Sequence, residues 1–140
     1  MQGYETTIND RQDRIIRELE GRPDWFDKYE YLIGLGKELD PGDELKDDRY
    51  AMQGCQSKVW VRAELNDGTL HYTADSDSVI TRGMIALVLE VLNDTPPAEA
   101  AEAELYFIDR TGLDRNLSPA RANGLKTIVS HMQGLARDHA

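Results

Sequence analysis

The 140-residue chain carries 16 Lys and Arg against 26 Asp and Glu, a formal net charge of −10, with 40% hydrophobic and 30% charged residues. That balance belongs to a soluble globular protein, and the length suits one domain that buries roughly two thirds of its unfolded surface. The acidic excess argues against nucleic acid or an anionic membrane as partner, and no apolar run approaches the ~18 residues of a membrane span.

No basic segment followed by an apolar one opens the chain, so no secretory signal is visible. Cys55 is the only cysteine, which rules out an internal disulfide, and a reducing cytoplasm is the expected location. Thr7 and Asp10 resemble a capping box for a helix over 7–20, with Ile8, Ile15, Ile16 and Leu19 at helical spacing. Gly21 ends it, and Pro23 suits the first turn of a second helix. The buried stripe of that helix is expected to hold Phe26, Tyr29, Leu32 and Ile33, with Gly34 and Gly36 weakening its end. Residues 40–50, DPGDELKDDRY, read as a polar surface loop leading to the cysteine.

The period then changes to two. Val59, Val61, Ala63 and Leu65 share one face, Asn66-Asp67-Gly68-Thr69 is a hairpin turn, and Leu70, Tyr72 and Ala74 lie on the returning strand. Asp77 or Ser78 caps a helix over about 79–92 that is apolar on nearly every face and belongs in the middle of the core. Thr95-Pro96-Pro97 opens a short helical stretch, with Leu105, Tyr106, Phe107 and Ile108 packing beyond it. A last helix has Ser118 as cap, Pro119 in its first turn and an apolar stripe of Leu125, Ile128, Met132 and Leu135. No repeat or linker divides the chain. The pattern predicts a single α+β domain over 1–140, helices packed on a small antiparallel sheet.

Free cysteine often packs as a small hydrophobe. At Cys55 the setting differs: Gly54 lets the backbone turn, Gln56 and Ser57 are polar, and the segment is a loop feeding a strand. A reactive Cys55 needs its thiolate form, and one thiol supplies neither a redox pair nor a thiolate-held metal site. His71, His131 and His139 are scattered and read as surface residues, although a Cys55–His71 hydrolase pair stays open. Arg121 falls in the first turn of the last helix, where the dipole disfavours a cation. It either pairs with a nearby acid or faces an anion or a partner's carboxylate. Asp77 reads first as a helix cap and second as a partner contact.

Three blocks carry a resemblance: GCQSKVWV from Gly54, DSDSVITRGMIALVL from Asp75 and LSPARANGL from Leu117. In this order and spacing they resemble the SufE family of sulfur acceptors and its close relative CsdE. The match runs from about residue 20 to 135, while the first helix and the 40–50 loop are less distinctive. Lys58 departs from the family, where glutamine is common. The resemblance implies an IscU-like α+β fold without that scaffold's cluster cysteines. It also implies an acceptor at Cys55 that takes persulfide sulfur from a pyridoxal-phosphate cysteine desulfurase of the SufS type, stimulates it and passes the sulfur to a SufBCD-type scaffold. Gly54, Gln56, Ser57, Asp77 and Arg121 then support the persulfide or meet the desulfurase. The implied protein has no cofactor or metal of its own and is a monomer or weak homodimer, a carrier rather than a stand-alone enzyme. The alternatives are a CsdE-type acceptor for a paralogous desulfurase, a hydrolase using His71, and an adaptor in which Cys55 only packs.

Overall fold

The computed structural model describes residues 7–52 and 57–140. Helix α1 (Ile8–Glu20) opens on the expected capping box. The Thr7 hydroxyl accepts the Asp10 amide at 3.0 Å, and the Asp10 carboxylate accepts the Thr7 amide at 3.2 Å. Its inner face buries Ile15, Leu19 and Gln12. Helix α2 (Trp25–Lys37) is capped by Asp24, whose carboxylate accepts the Asp27 amide at 2.9 Å. Pro23 therefore precedes the cap rather than sitting in the first turn.

The buried face of α2 also departs from the expectation. Phe26 is 72% exposed, while Leu32 and Gly36 are buried. The reason lies in the neighbouring helix α3 (Val79–Leu92), which meets α2 backbone to backbone. A Cβ on Gly36 would lie 2.8 Å from the Gly83 nitrogen, and one on Gly83 only 2.3 Å from the Leu32 carbonyl oxygen. That contact turns Leu32 and Gly36 inward. Phe26, six residues before Leu32 and so about 240° around the helix, points away.

The antiparallel pair β1 (Val59–Asn66) and β2 (Thr69–Ser76) has Val59 opposite Ser76 and Asn66 opposite Thr69. Asp67 and Gly68 both have positive φ, 52° and 83°, as the tight two-residue turn requires. Val59, Val61, Leu70, Tyr72 and Ala74 are buried, whereas Leu65 is exposed near the turn. The 40–50 segment holds two single 3₁₀ turns, Asp43–Leu45 and Asp48–Tyr50, and Leu45 is fully buried. It is therefore a loop with an anchor in the core.

Helix α3 is the hub, touching α1, α2, β2 and the last helix. It buries Met84, Ile85, Leu87, Val88, Val91 and Leu92. Each such side chain contributes about 1.5–3 kcal/mol, against about 1 kcal/mol for a cap, so packing rather than capping holds it. Three short helices follow: α4 (Pro97–Glu102), α5 (Phe107–Arg110) and α6 (Leu113–Asn116). The long α7 (Pro119–His139) then closes over α3, α4 and β1 with Leu125, Ile128 and Met132 inward. Buried Tyr72 ties the hairpin to α7 by donating its hydroxyl to the Met132 carbonyl at 2.7 Å.

Gly83→Ala is expected to lower stability by roughly 1–3 kcal/mol or more, because the added methyl meets backbone that cannot turn aside. Denaturant unfolding measures it. Burial pushes the Tyr72 hydroxyl up from 10.0 to about 12. A folded pKa above the unfolded one gives stability that is complete below pH 10 and lost as pH rises towards 12. Tyr72→Phe should flatten that alkaline decline in melting temperature.

Candidate functional site

Gly54, Cys55 and Gln56, three of the six residues singled out in the sequence, lie outside the described residues. The frame on either side of them is described closely. On the incoming side Ala51 pairs with Trp60, and the Met52 amide donates to the Val59 carbonyl at 2.9 Å. On the outgoing side Lys58 is held at both backbone groups. Its amide donates to the Asp77 carboxylate at 3.1 Å. Its carbonyl accepts the Ser76 hydroxyl at 2.7 Å and the Asp77 amide at 3.3 Å. Met52 and Lys58, which flank the cysteine in sequence, are thus both fastened at one end of the hairpin.

Asp77 is accordingly not the cap of α3. Ser78 takes that role, accepting the Thr81 amide at 3.4 Å, and Asp77 staples Lys58 instead. The two residues compete for one task, and φ/ψ at Ser78 is the extended geometry a cap needs.

Ser57 lines a small cleft with Thr81 and Met84 from the first turns of α3 and with Ala120, Arg121, Gly124 and Ile128 from the first half of α7. Its volume of about 30 Å³ admits roughly two water-sized groups. Two helix N-termini therefore face one cleft, and each brings the positive end of a dipole. Ser118 caps α7 by accepting the Arg121 amide at 3.3 Å, which leaves the exposed Arg121 guanidinium at that same positive end. No ion pair to Arg121 occurs among the described residues. The first of its two readings, a salt bridge to a nearby acid, is thus not realised there. A cation at two helix N-termini is an unfavourable cluster that an anion would relieve.

The structure brings Ser57 and Arg121 to one cleft and sets Asp77 behind it as a fastener. It does not bring His71 there. His71 lies opposite Glu64, five residues along β1 from Val59 and roughly 17 Å away at strand spacing, with Nδ1 3.0 Å from Asp94 Oδ1. His71 is engaged towards the turn end of the hairpin, whereas Met52 and Lys58 lie at the other. His131 is half-buried on α7, and burial lowers its pKa.

Thr81, Met84, Gly124 and Ile128 carry no sequence signal as cleft residues; only the caps Ser78 and Ser118, which mark where the helices begin, hinted at them. A wider groove of about 460 Å³ shares Arg121 with the cleft and is lined by Phe26, Tyr29, Ile33, Ile80 and Leu117 among others. Among the described residues no group of three or more His, Cys, Asp or Glu side chains is placed to hold a metal ion. None of the described helices is long and apolar enough to cross a membrane.

A family model described as "SufE: Fe-S metabolism associated domain" matches residues 13–136. An uncharacterized SufE-like protein of Synechocystis sp. is 38% identical over 121 residues, 86% of this chain and 76% of its own. One from Rhizobium etli is 33% identical over 134 residues, 91% of this chain and 90% of its own. SufE-like protein 1, chloroplastic/mitochondrial, of Arabidopsis thaliana is 41% identical over 108 residues, 76% of this chain but 29% of that longer protein. The solution structure of a hypothetical protein from Thermus thermophilus shares the fold, with a TM-score of 0.71, 19% identity and coverage of 91% of this chain and 94% of that one.

The Asp77 staple has a measurable consequence. Asp77→Ala removes one acceptor while leaving the Asp77 amide bond to Lys58 in place, so the cost is expected at about 0.5–1.5 kcal/mol. Amide exchange at Lys58 should quicken, while exchange in the interior of β1 stays as it was.

Proposed function

Because the chain belongs to the SufE family of Fe–S metabolism, we propose that it accepts sulfur on Cys55 from the persulfide of a SufS-type cysteine desulfurase. On this reading it stimulates that enzyme and passes the sulfur to a SufBCD-type scaffold in the cytoplasm. The observation that supports the reading best is the cleft at Ser57, two residues from Cys55, which Arg121 also lines. There the starts of α3 and α7 meet Arg121, which has no ion pair among the described residues. Cys55 precedes Ser57 by two positions in the chain, which is the basis for assigning its thiol to that field. Positive ends of helices and a guanidinium favour a thiolate over a thiol, and the thiolate is the nucleophile.

The transfer is then a thiol exchange. The Cys55 thiolate, its proton already given to solvent, attacks the outer sulfur of the donor's persulfide. One S–S bond forms at Cys55 as the donor's S–S bond breaks, and the donor leaves as its own thiolate. No oxidant or reductant is consumed. The product persulfide is an anion of the same charge, so the surroundings that favoured the thiolate also suit the cargo. A cleft with room for roughly two water-sized groups gives the terminal sulfur a sheltered place. The single cysteine helps, since no second thiol in the chain can reclaim the sulfur by closing a disulfide. Gly54, Gln56 and Ser57 are the neighbours assigned to supporting the persulfide, Asp77 holds Lys58, and Arg121 supplies charge. A CsdE-type partnership with a paralogous desulfurase uses the same chemistry and differs only in the donor.

Intact-mass spectrometry after incubation with a desulfurase and cysteine is expected to show one added sulfur on the wild-type chain and none on Cys55→Ser. Arg121→Met should keep the fold and slow alkylation of Cys55 at neutral pH severalfold. A Cys55→Ser chain that still gains sulfur, or an Arg121→Met chain alkylated at the wild-type rate, would count against the mechanism.

A further inference from the structure

Among the described residues the exposed large hydrophobics are few: Phe26 at 72%, Val79 at 52% and Leu65 at 50%. Leu65 lies at the hairpin turn. Phe26 sits at the start of α2 and lines the apolar groove together with Ile33, Ile80 and Leu117, and Val79 is the chain neighbour of Ile80. The groove is open, about 460 Å³ in volume, and walled mainly by carbon. Arg121 lines both this groove and the cleft beside Ser57, and so borders the two. An aromatic side chain left in water beside a concave apolar wall is the usual anchor of a protein interface.

We propose that this groove is the docking subsite for the sulfur donor, gripping an apolar donor segment that carries a carboxylate to Arg121. The inference rests on the sulfur-acceptor reading and deepens it, since it locates where the donor holds on rather than where the chemistry occurs. The shared residue assigns the occupant: whatever fills the groove reaches Arg121, which also lines the cleft beside Ser57. Charge assigns its chemistry. Arg121 has no ion pair among the described residues, in a chain with ten excess negative charges, so the occupant supplies the missing carboxylate. That same excess disfavours a second copy, because two such chains repel one another. The groove also explains why Phe26 faces out. The glycine contact between α2 and α3 fixes the rotation of α2, and that rotation presents Phe26 to the partner.

The probe is a purified pyridoxal-phosphate cysteine desulfurase that loads sulfur onto the wild-type chain, with affinity read by calorimetry. Phe26→Asp is expected to weaken binding by about tenfold or more, and Phe26→Leu to stay near the wild type. Because Phe26 is 72% exposed, both variants should melt like the parent. Alkylation of Cys55 in the free chain should be unchanged, which separates docking from thiol activation. A smaller loss of affinity in Phe26→Asp, with loading as in the parent, overturns the groove and leaves the sulfur-acceptor reading standing. So does a wild-type dimer that Phe26→Asp dissociates, since the face would then be a contact between copies. A wild-type chain that no desulfurase loads overturns the parent reading and this one together.

Discussion

The fold depends on one constraint: α3 is apolar around almost its whole circumference and has to be covered on every side. Its six large buried aliphatic side chains draw in α1, α2, α7 and β2. The tightest of these contacts is the crossing at Gly36 and Gly83, where the two backbones touch. A helix placed so centrally cannot shift without disturbing all its neighbours. Its first turn is thereby fixed in space, and that turn is one wall of the candidate site.

The site follows from where helices begin. Ser78 and Ser118 start α3 and α7, and tertiary packing sets the two starts against the same cleft. Each helix end brings donors and a partial positive charge, and Arg121 adds a full one. The hairpin delivers Ser57 and Lys58, just before Val59, to that place. The Asp77 and Ser76 side chains fasten Lys58 and so define where the chain enters β1. The described elements on either side of residues 53–56 are thus held in place by backbone and side-chain hydrogen bonds.

Polar side chains in unexpected roles complete the frame. Gln12, fully buried, donates to the Glu104 carbonyl at 3.0 Å and accepts the Phe107 amide at 3.1 Å, fixing the connection after α4 to α1. Asn93 accepts the Tyr72 amide at 2.6 Å and donates to the Tyr72 carbonyl at 3.2 Å, so one amide side chain pairs with the β2 edge as a neighbouring strand would. Both satisfy backbone groups that burial would otherwise leave without partners.

Local rules were legible in the residues. The Thr7 capping box, the Asp67-Gly68 turn, the period-two burial of Val59, Val61, Leu70, Tyr72 and Ala74, and the Ser118-Pro119 helix start depend on neighbours within a few positions. The motif blocks that mark the family were legible for the same reason. Rotation of α2 was not, because Phe26 and Leu32 are equally apolar and only the Gly36–Gly83 approach decides which turns inward. Nor was the role of Asp77, since Ser78 is an equally good cap and the Lys58 backbone it holds lies 19 positions earlier. Meeting of the α3 and α7 starts, and the exposure of Arg121 between them, likewise needed the packed chain. Hydrophobic pattern and turn chemistry act over short separations, whereas helix rotation and site electrostatics are set by contacts between segments far apart in sequence.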